Sequence, residues 1–211
     1  MPKILVLFYS RTGNTASIAE AIAEGARSVR FSEVELRRID DLAPPAMIHA
    51  NPAWTESRVR LANTYQTLGS PQELGDYDAL ILGSPTRFGV MAAELKSVLD
   101  QVGGLWKHGA LVNKVGAAFT TVSTPHGGHE TTLWSIMTPM ANLGMILVPP
   151  GYTDAVMYKA GSPYGATATV NSTSSIGEAD LAAARHQGKR VAEVTGWIAH
   201  AKSHEHGGHH H

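Results

Sequence analysis

The chain has 211 residues, of which 43% are hydrophobic and 17% are charged, a balance typical of a folded globular domain. Its formal net charge of -1 provides no overall basic character for binding nucleic acid or an anionic membrane. The absence of cysteine excludes thiol catalysis, zinc–thiolate sites and disulfides.

The two ends of the chain differ from its middle. Met1-Pro2-Lys3 leads directly into an apolar run, so we expect no signal peptide, and no apolar segment is long enough to span a bilayer. Together with the lack of cysteine, this predicts a cytoplasmic protein without membrane partners. Residues 200–211 are rich in His and Gly, and we expect a disordered tail after a single domain spanning residues 1–199.

The amino-terminal apolar run predicts a strand that is buried on both faces. Residues 4–9 read Ile-Leu-Val-Leu-Phe-Tyr, as in the parallel strands of α/β proteins. After residues 10–15, Ile18, Ile22 and Ala26 recur at helical spacing. A helix that begins directly after a strand presents free backbone N–H groups above the strand end, and these groups attract anions.

The loop between this strand and helix limits what the anion is. It has hydroxyls at Ser10, Thr12 and Thr15, an amide at Asn14, and Gly13 where a ligand needs close approach. It lacks the Gly-Lys-Ser/Thr ending of a triphosphate loop and the three glycines of a dinucleotide loop. The loop therefore suits a single phosphomonoester. An ordinary N-capped turn is the alternative, because Ser, Thr and Asn favour helix starts.

The next part of the chain predicts an edge strand and a long connection. Val34 and Leu36 alternate with charged residues, as in a half-polar strand at the edge of a sheet. Residues 43–77 show no strong periodicity, and we expect one short helix near residues 56–68. Connections of this length are commonly functional or contribute to interfaces, so we expect this one to serve subunit contacts.

The remaining sequence continues the alternation of strands and helices. The predicted elements are a strand at 78–83, a helix marked by Met91, Leu95, Val98 and Leu99 that stops at Gly103-Gly104, a strand at 114–120, a helix marked by Leu133, Ile136, Met137 and Met140, a strand at 144–148, and a final helix carrying Leu181, Ala184, Val191 and Ile198. A Gly-, Pro- and Ser-rich excursion over 149–177 precedes the final helix, and we expect it also to serve subunit contacts.

This alternation predicts an α/β fold with a doubly wound parallel five-stranded sheet, strand order 2-1-3-4-5, and helices on both faces. Ligands of such sheets bind at the carboxyl ends of the strands, where the strand order reverses. Three polar loops are expected there, spanning Ser10–Thr15, Pro85–Gly89 and Thr121–Gly128. They suit a mononucleotide whose flat ring lies between the loops.

Four segments of the sequence resemble known flavoproteins. Ser10–Thr15 is similar to the FMN loop of flavodoxin-like proteins, while Gly83–Gly89, Asp100–Trp106 and Ser162–Thr167 look like segments of the WrbA-type NAD(P)H:quinone oxidoreductases. The resemblance covers residues 2 to about 198. It implies an FMN-dependent enzyme that transfers two electrons from NADH or NADPH to a quinone with ping-pong kinetics, giving the hydroquinone, and that assembles as a homotetramer.

The resemblance also implies site residues. The implied FMN contacts are Ser10, Arg11, Thr12, Gly13, Asn14, Thr15, Pro85, Thr86, Arg87, Phe88, Gly89, Thr121, Val122, Ser123, Thr124, Pro125, His126 and Gly127. Thr12 would contact the nicotinamide, Trp106 would form a wall of the substrate site, and Tyr152 would lie near the ring.

The chain departs from the family pattern at two places. Arg11-Thr12 stands where the family has an aromatic residue or methionine. Asn142 aligns with a position beside the flavin where histidine is common, so a histidine proton donor is not expected there.

Two other functions are compatible with the same fold. A flavodoxin-type electron carrier is the main alternative, although such carriers are usually strongly acidic and this chain is near neutral. A regulatory protein that keeps FMN as a structural support is the other. No metal site is expected, because His126 and His129 lack partners at ligand spacing, and we predict loop or capping roles for them.

Overall fold

The computed structural model describes residues 1–171 and 175–207. Its strands are β1 (Lys3–Phe8), β2 (Glu33–Arg38), β3 (Ala79–Arg87), β4 (Val90–Met91), β5 (Val115–Val122), β6 (Ile146–Leu147) and β7 (Ala166–Thr169). Its α-helices are α1 (Asn14–Arg27), α2 (Pro45–His49), α3 (Pro52–Thr64), α4 (Ala93–Asp100), α5 (Gly103–Lys107), α6 (His129–Asn142) and α7 (Glu178–Gly207). Two 3₁₀ helices span Pro71–Asp76 and Ala155–Tyr158.

The sheet has the predicted topology. Its order is β2-β1-β3-β5-β6, and neighbouring strands along this path are parallel. Counting the principal strands in chain order, this is the 2-1-3-4-5 arrangement, so the predicted fold class is confirmed. The strand order reverses beside β1, because the chain passes from β1 to β2 on one side and later to β3 on the other.

The fifth position of the sheet is divided between two short strands. β6 pairs with Val115 and Gly116 at the start of β5, and β7 pairs with residues 119–122 at its end. The predicted strand at 144–148 thus contributes only two paired residues, and β7 lies in the excursion where no strand was predicted. Pro149-Pro150 follows β6 and has no N–H groups for continuing the ladder.

Helices cover both faces of the sheet, as predicted. Alternate residues of β1 point to opposite faces: Ile4 and Val6 pack in the cluster that contains α1 and α7, while Leu5 and Leu7 pack in the cluster that contains α4 and α6. These four side chains are fully buried. This double burial is the reason why the strand is continuously apolar.

The connection over 43–77 contains more helix than predicted. In place of one helix near residues 56–68, the chain forms α2, α3 and a 3₁₀ helix. Two residues favour the start of α3. The Asn51 side-chain oxygen caps the helix by accepting a hydrogen bond from the Trp54 N–H at 3.1 Å, and Pro52 occupies the first turn.

Two other boundaries differ from prediction. Met91 belongs to the short strand β4 rather than to a helix, and Gly103-Gly104, predicted as a helix end, begins α5.

At the end of the chain, α7 continues to Gly207 and includes residues 200–207 of the segment expected to be a disordered tail. No Gly or Pro interrupts the sequence between Gly196 and Gly207. Residues 208–211 lie outside the described part. Within that part, none of the helices combines the length and the apolar character that crossing a bilayer requires.

Candidate functional site

Three loops at the carboxyl ends of β1, β3 and β5 form one groove. Its inner half is a cavity of about 180 Å³ lined by Ser10, Arg11, Thr12, Asn14, Thr15, Pro85, Thr86, Arg87, Thr121, Val122, Ser123 and Val170. Its outer half is a wider cavity of about 580 Å³ lined by Thr86, Phe88, Gly89, Ser123, Thr124, His126, Gly127 and Gly128. Thr86 and Ser123 border both halves, so the two cavities are adjacent. The predicted convergence of the three loops is therefore present.

The inner half is built around the amino terminus of α1. Gly13 occupies the N-cap position with φ 102°, and no side chain caps the helix start. The hydroxyls and the amide lie around it: Ser10 Oγ accepts from the Gly13 N–H at 3.0 Å, and the Asn14 amide donates to Thr12 Oγ1 at 3.3 Å. An uncapped amino terminus leaves backbone donors and the positive end of the dipole for an anion. The ordinary N-capped turn is therefore not what the chain forms.

A pair of buried threonines joins the first and third loops. The Thr15 and Thr121 hydroxyl oxygens are 2.8 Å apart, and both residues are buried. Each hydroxyl can both donate and accept, so this bond leaves capacity for a ligand oxygen. The contact fixes the distance between the start of α1 and the end of β5.

Helix α3 packs against the loop over residues 10–15, called here the phosphate-type loop, on the side away from the groove. The sequence did not predict this support. The Thr12 carbonyl accepts hydrogen bonds from Ser57 Oγ at 3.3 Å and from Arg60 Nη2 at 3.1 Å. The guanidinium packs so closely that a Cβ on Gly13 would lie 2.8 Å from Arg60 Nη2. The guanidinium is the end of a flexible side chain and can shift, so it is the positive φ that requires glycine here.

A polar cluster behind the loop ties α3 to the end of β1. The Tyr9 hydroxyl and the Trp54 indole N–H donate to the same Asp41 oxygen, at 2.9 and 3.0 Å. Burial, followed by the negative charges of Glu94 and Asp41, raises the pKa of Tyr9, so its hydroxyl remains a donor. The Trp54 ring in turn lies 3.7 Å from the Arg11 guanidinium. Trp54 and Asp41 were not predicted as site residues.

The outer half is more open. Thr86 Oγ1 accepts hydrogen bonds from the Gly89 N–H at 3.1 Å and from the Thr132 hydroxyl at 2.8 Å, which shapes the turn between β3 and β4. Phe88, at the tip of this turn, has φ 53° and is fully exposed. Its ring is therefore available to a flat ligand. Arg87 Nη1 donates to the Thr86 carbonyl at 3.0 Å.

The third loop closes the groove with help from β7. Ser123 and Thr124 lie at the rim, and Pro125 and His126 are exposed. The Val170 N–H donates to the Val122 carbonyl at 2.7 Å, which places Val170 in the inner half. Val170 was missed because the short strand before it, Ala-Thr-Ala-Thr, was not predicted.

His129 fastens α6 to β7 near the outer half. Its Nε2 lies 3.1 Å from Thr169 Oγ1, and burial lowers its pKa, so the neutral ring is favoured. This contact joins a helix to a strand and is neither of the loop and capping roles predicted for His129. Among the side chains of residues 1–171 and 175–202, no three metal-ligating groups form a cluster.

One predicted site residue, Asn142, lies at the end of the sheet opposite to the groove. Helix α6 begins beside the groove, where Thr132 bonds Thr86, and runs back toward the start of β5, where the Asn113 N–H bonds the Gly144 carbonyl. Asn142 is the last residue of this 14-residue helix, about 20 Å along its axis from its first turn. In a single copy of the chain Asn142 therefore lies away from the groove, and its place beside the flavin stays a prediction.

Two predicted substrate residues also lie outside the groove of a single copy. Trp106 is on α5, which packs against the 3₁₀ helix before β3 at the amino edge of the sheet, and it is exposed. Tyr152 stacks on Tyr158 with ring centroids 5.0 Å apart, and the adjacent Thr153 contacts His186 of α7. Thr12 does line the groove. Motif order along the chain does not give the end of the sheet at which a residue lies, and the substrate roles of Trp106 and Tyr152 stay predictions.

Comparison with known proteins supports this description of the fold and identifies the family. Residues 2–157 match the family model described as NADPH-dependent FMN reductase. A protein of Archaeoglobus fulgidus named NAD(P)H dehydrogenase (quinone) is 45% identical over 196 residues, covering 92% of this chain and 97% of its own. One of the same name from Brucella anthropi is 43% identical, with coverage of 92% and 98%.

Solved structures show the same architecture. The crystal structure described as a flavodoxin, WrbA-like protein from Agrobacterium tumefaciens superposes with a TM-score of 0.64 at 23% identity, covering 94% of this chain and 99% of that chain. An archaeal flavodoxin superposes with a TM-score of 0.59 at 19% identity, covering 92% and 99%. At these identities the likeness shows a flavodoxin-like fold.

Proposed function

The chain belongs to the NADPH-dependent FMN reductase family, and on that premise we propose that it is an FMN-dependent NAD(P)H:quinone oxidoreductase. The observation that carries the proposal is the uncapped start of α1, which opens into a groove with a wider second half. An enzyme of this kind needs a fixed cofactor and an accessible face on which flat substrates are exchanged.

The residues of the inner half fit the phosphate and ribityl chain of FMN. The α1 amino terminus supplies N–H donors, and Ser10, Thr12, Asn14 and Thr15 supply neutral polar groups, which suits one phosphomonoester. Bound FMN would supply the two-electron chemistry. Its flat ring would extend toward the outer half, between the loops over 85–89 and 121–127.

The protein groups of the outer half would orient and shield the substrates. Phe88 offers an aromatic face, and Arg87 would place positive charge near the ring. The outer half is the wider of the two adjacent cavities, so we propose that the nicotinamide and the quinone occupy it in turn, with ping-pong kinetics and hydroquinone as product.

A steady-state assay tests this function. The purified protein is mixed with FMN, NADH and benzoquinone, and absorbance at 340 nm is followed. FMN-dependent oxidation that requires quinone, with parallel double-reciprocal lines, is the expected result. Intersecting lines would exclude the ping-pong scheme, and oxidation that is slow and independent of quinone would favour an electron carrier.

We also propose a cytoplasmic homotetramer. Exposed aromatic side chains cluster away from the groove: Trp134 contacts Tyr164 at 5.3 Å, and Tyr152 stacks on Tyr158. Exposed aromatic patches of this kind are suited to subunit contacts. Calibrated size exclusion with FMN present is expected to give a tetramer, and a monomer would contradict the proposal.

A further inference from the structure

The groove is lined by two positively charged side chains and by no carboxylate. Arg11 and Arg87 are its two guanidinium groups, and no carboxylate occurs among the residues that line either half. Among the ion pairs of the described residues, neither arginine has a partner. Charge arranged in this way in a cleft attracts anionic ligands.

The Arg11 guanidinium rests on a rigid platform. It lies 3.7 Å from the ring of Trp54, which is 7% exposed and hydrogen-bonded to Asp41. Stacking uses the face of a guanidinium and leaves its N–H edge free for oxygen acceptors. The side chain is thereby pre-organised without being neutralised.

The FMN phosphate does not require this group. The start of α1 already provides backbone donors and the positive end of the helix dipole, and Thr15 adds a hydroxyl. Arg11 is held against α3 rather than against α1. It therefore offers a second anion-binding group at the rim of the inner half.

We propose that Arg11, supported by Trp54, binds the diphosphate of the nicotinamide dinucleotide and determines affinity for that substrate. This inference rests on the proposed function, in which NADH or NADPH enters the same groove. A planar guanidinium can donate two parallel hydrogen bonds to phosphate oxygens, and a diphosphate carries two negative charges.

Calorimetric titration of the FMN-loaded protein with NAD⁺ and NADP⁺ tests this role without turnover. Arg11→Met is expected to raise the Kd for both dinucleotides at least tenfold and to change the FMN Kd less than threefold. Arg11→Lys is expected to give an intermediate Kd, because it keeps the charge but loses the planar fork. Arg30→Met is the matched control, since Arg30 also lies over an aromatic ring, Phe31, but outside the groove.

The outcomes separate this inference from the function itself. If Arg11→Met weakens FMN tenfold and leaves both dinucleotides unaffected, the guanidinium serves the cofactor and the proposal is overturned. Unchanged affinity for all three ligands overturns it as well. If the wild-type protein binds the dinucleotides through Arg11 but does not reduce quinone, the proposed function fails while the binding role stands. If the wild-type protein binds neither dinucleotide, the binding role of Arg11 is overturned, and the steady-state assay with NADH and benzoquinone decides the function separately.

Discussion

The two halves of the groove are built in opposite ways. The inner half is held by the helix start at Gly13, the buried Thr15–Thr121 bond and support from α3. The outer half is a wide space beside a turn whose aromatic tip, Phe88, is fully exposed. Under the proposed function, the comparison teaches how one site would retain a cofactor and exchange substrates: fixed donors would hold the phosphate, whereas an open aromatic face would let flat molecules enter and leave.

The largest expected effect concerns the close contact between Gly128 and Gly89 in the outer half. Gly128 has φ 93°, and a Cβ there would lie 2.7 Å from the Gly89 Cα. Gly128→Ala should therefore lower the free energy of unfolding by about 2 kcal/mol through backbone strain and overlap. Urea denaturation measures this. Gly104→Ala is the control, because no atom lies within 4 Å of its Cβ position and a helical alanine is favourable. Equal stability of the two variants would refute the close approach.

The second prediction tests the inner half. Thr15→Val removes a buried hydroxyl and leaves Thr121 without this partner. The affinity for FMN should fall by about 1–2 kcal/mol, or roughly 5- to 30-fold in Kd. Quenching of flavin fluorescence measures it. Thr138→Val, an exposed change on α6, should leave the Kd unaltered. Unchanged affinity in Thr15→Val would place the phosphate elsewhere.

A third substitution should affect exchange rather than cofactor retention. Phe88→Asn removes the exposed ring, and asparagine tolerates the left-handed backbone found there. We expect kcat/KM for quinone to fall roughly three- to tenfold, as for a lost aromatic contact of about 0.5–1.5 kcal/mol. The free energy of unfolding should change by less than about 0.5 kcal/mol. Phe31→Asn is the matched control, since Phe31 is also exposed with positive φ but lies outside the groove. If both variants keep full quinone activity, Phe88 does not contact the substrate.

The smallest expected effects are on the pH dependence of the free energy of unfolding. A residue beside the outer half lowers this free energy at acidic pH, and a residue behind the inner half lowers it at alkaline pH. Burial lowers the pKa of His129, beside the outer half, below its ordinary value of 6.5, so the unfolded chain binds more protons and stability falls as the pH drops below about 6.5. Burial raises the pKa of Tyr9, behind the inner half, so stability falls as the pH rises above its ordinary value of 10.0.

Urea denaturation across pH separates these two contributions. His129→Gln should reduce the acidic loss of stability and Tyr9→Phe the alkaline loss, whereas His126→Gln, a change in an exposed loop, should alter neither. Tyr77, whose pKa is raised to about 12 by burial and its bond to Glu35, maintains part of the alkaline loss in all variants. An unchanged acidic loss in His129→Gln would show that the His129–Thr169 contact does not contribute to it.

The fold and the inner half were largely predictable because they depend on local patterns. Doubly buried apolar runs identify β1, β3 and β5, and the alternation with helices gives the strand order. The polar loop between a buried strand and a helix predicted where α1 begins, and the structure shows that no side chain caps this helix start. β6 was predicted as part of a longer strand at 144–148, whereas β7 was not predicted, because a strand of four residues gives only a weak pattern.

The amino-acid sequence by itself thus determined the sheet and the position of the phosphate-type loop, since burial and turn chemistry act between residues that are close in the chain. Only the tertiary structure decided which distant groups meet that loop. The tertiary structure placed Trp54, Ser57 and Arg60 beside this loop. It placed Asn142 at the end of the sheet opposite to the groove. The physical reason is that helix direction and the packing of long connections are set by burial over the whole domain, which a local pattern does not specify.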